Sequence, residues 1–390
     1  MGAPMVICFD CDGKTKAVLD ELLTSDDFGD YSEVIRTAIA NLAILRRRIP
    51  RSGSAIINEG EVLSADGESR VKASEQVAAS KGTSVGASSP QYKQSALGIP
   101  ALFLRDHISS APPTFAEMTT EPWERQAKIP LPEWIFGQYN KLLPAKVTCR
   151  ALIHLLASKP NGVPLSKAAG VIAEEAAVFG DFLASLDSKH GLRRDEALQT
   201  GFPRTTVSAG LRVANSGQVR YANQFVAEAT KTEVSGLPIA LKLINCEGPD
   251  YLIRLTEPGW RLGSLVNPVL DKGEPEGSKK FSNEEIVLLL DHITLNVPVE
   301  LYAYRTLLSA ISGGANTPDK LNASLQEMDI WWQNRKPKDV VSLLNSQRSG
   351  AISRMADLEL LQRDRRGTRV TYRLTNSGEE FLKRTKSVKR

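Results

Sequence analysis

The heptads IRLTEPG (253–259) and YRLTNSG (372–378) both contain Arg-Leu-Thr-x-x-Gly, 119 positions apart. An echo at that distance constrains the fold strongly, because the chain must build one supersecondary unit twice around the same Thr and Gly. Upstream, SGLPIALKLI (235–244) parallels SGAISRMADLELL (349–361), each a helical pattern running into apolar residues. Between the helical pattern and the Arg-Leu-Thr strand lie NCEGPD in the first copy and QRDRRGTR in the second. Each copy therefore reads as helix, strand, turn, strand, and then a Gly-punctuated helix start.

This order resembles the recognition helix, wing and following helix of a winged helix-turn-helix domain. The resemblance implies two such units, over about 135–275 and 281–390. Their earlier helices fall at 145–160 and 164–177 in the first copy. In the second copy, VELYAYRTLLSAIS precedes TPDKLNASLQEM. Thr317 followed by Pro318 is a helix-start signal, with proline at the first helical position. The stretch 178–234 is too long for a turn and is expected to hold an insertion or extra helices. The expected fold class is mainly α with small β-hairpins. The expected domains are 1–50, a linker at 51–100, a first winged-helix-like domain at 101–278 and a second at 279–390.

Residues 51–98 are poor in aromatics and rich in Ser, Gly and Ala, a composition that buries too little to offset chain entropy. Ahead of this tether, VICFDCDG (6–13) resembles the first motif of haloacid dehalogenase-like phosphatases. However, Lys14 stands where that family has Thr, and about 35 patterned residues leave no room for its sheet. The same stretch, with YSEVIRTAIANLAIL (31–45), resembles a ribbon-helix-helix DNA-binding module. That resemblance implies a homodimer held by a two-stranded ribbon, with Ile7, Phe9 and Cys11 facing inward and Val34 and Ile35 on the second helix. Tyr31 and Ser32, at that helix's N-terminus, are expected to meet a phosphate. In the outward ribbon set, Val6, Cys8 and Asp10, the Asp can accept from a cytosine amine, but its charge beside phosphates opposes binding, which leaves base reading by the ribbon open. Cys8 and Cys11 point to opposite strand faces and have no further paired cysteines, which excludes a zinc or redox site.

Charge separates the two ends of the chain. Residues 335–390 carry fifteen Lys and Arg against six Asp and Glu, in a chain whose whole net charge is +4. The DNA contacts expected there are Arg335, Lys336 and Lys338 before the recognition helix, and Arg348, Ser349, Ser353 and Arg354 on it. Arg363, Arg365, Arg366 and Arg369 follow in the wing around Gly367. Met355, Leu358 and Leu361 are expected to pack inward. The first copy's wing is acidic, which suits a protein partner. There is no phosphate loop, dinucleotide fingerprint, zinc-protease helix or nucleophile elbow. The expectation is thus no enzyme, no cofactor and no metal. Four cysteines in 390 residues and no membrane-length apolar run suggest a cytoplasmic, nucleoid-associated location. The expected function is a sequence-specific, dimeric prokaryotic DNA-binding regulator or DNA-organising protein with double-stranded DNA as partner. The alternative is a non-catalytic adaptor using its winged helices for protein contacts.

Overall fold

The computed structural model describes residues 98–390, apart from 106–107, 109–113, 119–127, 194–195, 206–213, 231–232, 277–278, 329–335 and 388–390. The chain divides into two units, 1–91 and 92–390, and every described residue belongs to the second. The expected dimer residues Ile7, Phe9, Cys11, Val34 and Ile35, the expected phosphate contacts Tyr31 and Ser32, and most of the linker lie outside the described residues.

The described part is mainly helical with small antiparallel sheets. Its first half opens with α1 (Leu143–Ala157), which has Pro144 in its first turn. Strand β1 (Val163–Pro164) leads into α2 (Leu165–His190), which Gly191 closes in the left-handed region at φ 60°. Thus α2 runs well past the expected 164–177. The stretch without an expected fold holds the rest of α2, then α3 (Ala214–Tyr221) and a hairpin of β2 (Glu228–Ala229) and β3 (Val234–Ser235). A single turn, α4 (Leu237–Ala240), precedes β4 (Ile244–Glu247) and β5 (Leu252–Leu255). Strand order is β1-β5-β4, with Val163 opposite Ile253 and Cys246 opposite Ile253 on the other edge.

Two short helices, α5 (Glu257–Ser264) and α6 (Pro268–Lys272), lead to α7 (Asn283–Asn296), whose Ser282 and Glu285 form a reciprocal capping box. The second half then repeats the order of the first. Helix α8 (Pro298–Ser312) is followed by Asn316, α9 (Pro318–Met328), α10 (Pro337–Asp357), β6 (Leu361–Arg366), β7 (Arg369–Leu374) and α11 (Asn376–Ser387). The Tyr372 amide donates to the Asn316 carbonyl at 2.8 Å, so backbone lies against the free edge of β7 as β1 lies against β5. Proline opens α8, α9 and α10, where its missing N–H costs nothing. The start expected at Thr317-Pro318 is where α9 begins.

The sequence echo has a shared geometry. Thr256 and Thr375 donate their amides to the carbonyls of Leu243 and Leu360, at 3.1 and 3.2 Å. Their hydroxyls donate to the carbonyls of Lys242 and Glu359, and accept from the amides of Gly259 and Gly378. Lys242 and Glu359 both take positive φ, 54° and 56°. A Cβ on Gly259 would lie 1.8 Å from the Leu243 oxygen, and one on Gly378 1.9 Å from the Leu360 oxygen. The repeated Thr is therefore a helix cap tied to the previous strand, and the repeated Gly lets that helix pass directly over it.

One contiguous apolar core runs through both halves, including Met355, Leu358 and Leu361 as expected. Buried ion pairs tie α1 to α6 and α7. Lys146 meets Glu285 at 2.7 Å with both side chains inaccessible, and Arg150 grips Asp271 through two nitrogens at 2.7 and 3.1 Å. Asn267 donates to Glu285 at 2.9 Å, completing the network.

Candidate nucleic-acid interface

The basic hairpin is built by a strict two-residue alternation. Register pairs Leu361 with Leu374, Arg363 with Tyr372 and Arg365 with Val370, which places these six on one face. Leu361 and Tyr372 are buried there and anchor the hairpin to the helices. The opposite face carries Gln362, Asp364 and Arg366 across from Arg373, Thr371 and Arg369. Gly367, at φ 61°, is the first residue of the two-residue loop, and no atom lies within 4 Å of where its Cβ would be. It is there for the turn, which in twisted hairpins needs positive φ at this position.

Arg365, Arg366, Arg369 and Arg373 are exposed and Arg363 is half-buried. Arg365 donates to the Gly367 carbonyl at 3.2 Å, and Arg373 to the Gln362 side chain at 2.6 Å. Among the described residues, no carboxylate lies within ion-pair distance of any of the five. Arg373 was not among the expected DNA contacts. Its place in the repeated Arg-Leu-Thr reads as structural, but strand alternation from Arg369 already puts it on the outer face.

The helix before the hairpin departs from expectation. Arg348, Ser349, Ser353 and Arg354, expected near the N-terminal half of a helix starting at Asn345, lie in the C-terminal half of α10, which begins eight residues earlier at Pro337. Arg354 is 1% exposed and grips Glu300 of α8 through Nε and Nη2 at 2.6 and 2.9 Å. Burial works against its charge, but the Glu300 carboxylate outweighs it and holds the guanidinium above its ordinary pKa. Arg348 is buried and donates to the Pro318 carbonyl at 2.9 Å and to the Asn322 side chain. Ser353 is also buried. These three are corrected from DNA contacts to core residues, since Arg354 is committed to an internal carboxylate, Arg348 to internal oxygens, and the Ser353 side chain is buried.

A second element covers α10. The Gln347 amide donates to the Trp134 carbonyl at 3.2 Å, Arg354 to the Tyr139 carbonyl, and the Leu142 amide to Asp357 at 3.0 Å. At the crossing, a Cβ on Gly350 would sit 2.4 Å from the Gly137 oxygen, and one on Gly137 would sit 2.1 Å from the Ser346 oxygen. Only glycine at both positions permits this approach. What remains open on α10 is a stripe of Val341, Asn345 and Ser349, and Asn345 is already bonded to Asn322. Lys336 is exposed just before the helix and Lys338 lies in its first turn, while Arg335 falls outside the described residues. On α11, Arg384 pairs with Asp291 at 3.2 Å and lies over the Phe381 ring.

The first copy differs at the equivalent places. Its helix before β4 is one turn, where a longer helix over 235–244 was expected, because Lys242 turns left-handed after Ala240 and Leu241. Its β4–β5 hairpin carries Glu247 at the end of β4 and Asp250 in the turn, with Glu247 paired to Arg254, and the Tyr251 hydroxyl donates to the Thr230 carbonyl at 3.2 Å. Among the described residues, no group of three or more His, Cys, Asp or Glu is placed to hold a metal, and no single helix is long and apolar enough to cross a membrane. In comparisons with protein-family models, curated proteins and solved structures, nothing matches this chain.

Proposed function

We propose that this chain is a DNA-binding protein that engages duplex DNA through the β6–β7 hairpin. The observation that carries the reading is the set of hairpin arginines with no carboxylate partner among the described residues, four of them exposed. Arginine's planar fork suits phosphate oxygens, and its weak hydration lowers the cost of the contact. The order helix, strand, helix, helix, strand, turn, strand in the first half, followed in the second with a single backbone bond at Asn316 in place of the first strand, supports the winged-helix reading. A prokaryotic regulator or DNA-organising role fits, with residues 1–50 supplying the dimer.

Burial of Arg348 and Arg354 removes the main support for base reading by α10, so sequence selection is not assigned to that helix. The test is binding of the full chain to unrelated duplexes, compared with a variant carrying Arg363, Arg365, Arg366 and Arg369 all changed to Ala. The proposal expects at least a tenfold weaker affinity at moderate salt. The second reading, a protein-binding adaptor, is favoured by the acidic tip at Glu247 and Asp250 in the first copy. Equal DNA binding by the chain and the variant would support it.

A further inference from the structure

Arg366 and Arg369 face each other directly across the last rung of the hairpin. Like charges in that position repel and destabilise a strand pair. Several cations elsewhere in the fold do have carboxylate partners. Lys146, Arg150, Lys280 and Arg354 all sit against carboxylates, and so do the exposed Lys189, Arg261 and Arg384. At the wing tip no described residue supplies a counter-charge. Asp364, one rung below on the same face, is placed opposite Thr371 and pairs with neither arginine. The two-residue loop holds the opposed strand ends close, and both side chains are exposed. An oxyanion between two guanidiniums would remove the repulsion and satisfy both forks at once.

From this juxtaposition we infer that Arg366 and Arg369 form a phosphate clamp at the wing tip, which holds the DNA backbone and reads no base. The inference rests on the reading that the hairpin meets DNA and adds which atoms it meets. Arg373, four residues beyond Arg369 and on the same face, extends the clamp toward the neighbouring phosphate. Helix α10 does not add base readout, because Arg348 and Arg354 are turned inward and residues 129–142 lie across its flank. The repulsion in the free protein is relieved only when the ligand arrives, so this rung favours binding over fold stability.

A structural role and a clamp predict opposite signs. With the full chain, Arg366→Gln and Arg369→Gln are each measured for thermal stability at low salt without DNA, and for affinity on a panel of unrelated duplexes. The clamp predicts that each substitution raises the melting temperature. It also predicts that affinity falls by a similar factor on every duplex, with the salt slope reduced by about one per arginine removed. Asn345→Ala with Ser349→Ala should leave the ranking of the duplexes unchanged.

Three results would overturn the clamp while leaving DNA binding by the hairpin intact. They are a lower melting temperature in either Gln variant, a weakening confined to particular sequences, or a changed ranking in the α10 variant. If the four-arginine Ala variant binds DNA as the parent does, the functional reading fails as well, and the clamp with it.

Discussion

At the residue scale, the same side-chain types do opposite work according to where their partners lie. Arg354 and Arg366 are twelve positions apart. One is sealed against Glu300 and the other faces solvent beside a second arginine. Removing one partner of a buried pair strands the other, so Arg354→Ala is expected to cost about 3–5 kcal/mol in chemical denaturation. A cost under about 1 kcal/mol would mean that the pair is solvated. The repeated glycine makes a second prediction. Gly378→Ala puts a Cβ where the Leu360 carbonyl already lies, and is expected to cost about 1–3 kcal/mol by the same measurement. The Thr and Gly are legible in the sequence because they recur at fixed spacing. The inward turn of Arg348 and Arg354 is not. Arginine is seldom fully buried without a partner, and the partner Glu300 lies on another helix 54 residues away.

At the element scale, starts are easier to read than stops. Proline opens α8, α9 and α10, and proline is unmistakable in a sequence. Helix α10 nevertheless begins well before Arg348 and Arg354, since Val340 and Leu344 extend its buried face. The stop at Lys242, and the matching stop at Glu359, rest on left-handed residues that are not glycine. No composition rule marks them, so α4 is shorter than its apolar pattern suggests. The hairpin is legible from its Gly367 turn and alternating residues. Its basic face reaches one step further than expected, because Arg373 belongs both to the repeated framework and to the outer surface. The crossing of residues 129–142 over α10 leaves no trace in the sequence, since it depends on two glycines more than 200 positions apart. Gly350→Ala is expected to loosen that crossing. Amide hydrogen exchange over 129–142 should quicken while the β6–β7 hairpin stays protected. Unchanged exchange there would contradict a glycine-dependent crossing.

At the scale of the whole molecule, the two halves of the described part share a core but differ in the charge of their hairpins. The ion network at α1 adds a pH signature. Burial is the largest influence on Lys146 and pushes its ammonium down to about 8 from 10.5, against the pull of Glu285. Below pH 8 the lysine is protonated whether the chain is folded or not. Above it, the unfolded chain holds a proton that the folded one has released, so stability rises with pH. Burial also pushes the Cys149 thiol up to about 12 and the Cys246 thiol up to about 11, both from 9.0. Above pH 9 those thiols stay protonated only in the folded chain, which lowers stability as pH climbs. Stability is therefore expected to rise between pH 8 and 9, by at most about 1.4 kcal/mol per unit, and then to turn over. Lys146→Met should remove the rise, and a parent chain that weakens steadily from pH 8 would contradict this account.

The central claim, that the wing arginines displace cations from a polyanionic duplex, is met most directly by the salt dependence of DNA affinity. For the full chain, a plot of log affinity against log salt concentration is expected to fall steeply. With Arg363, Arg365, Arg366 and Arg369 replaced by Ala, the slope should lessen by about three to four, roughly 0.9 for each phosphate the protein no longer neutralises. Parallel lines for the two proteins would contradict the claim.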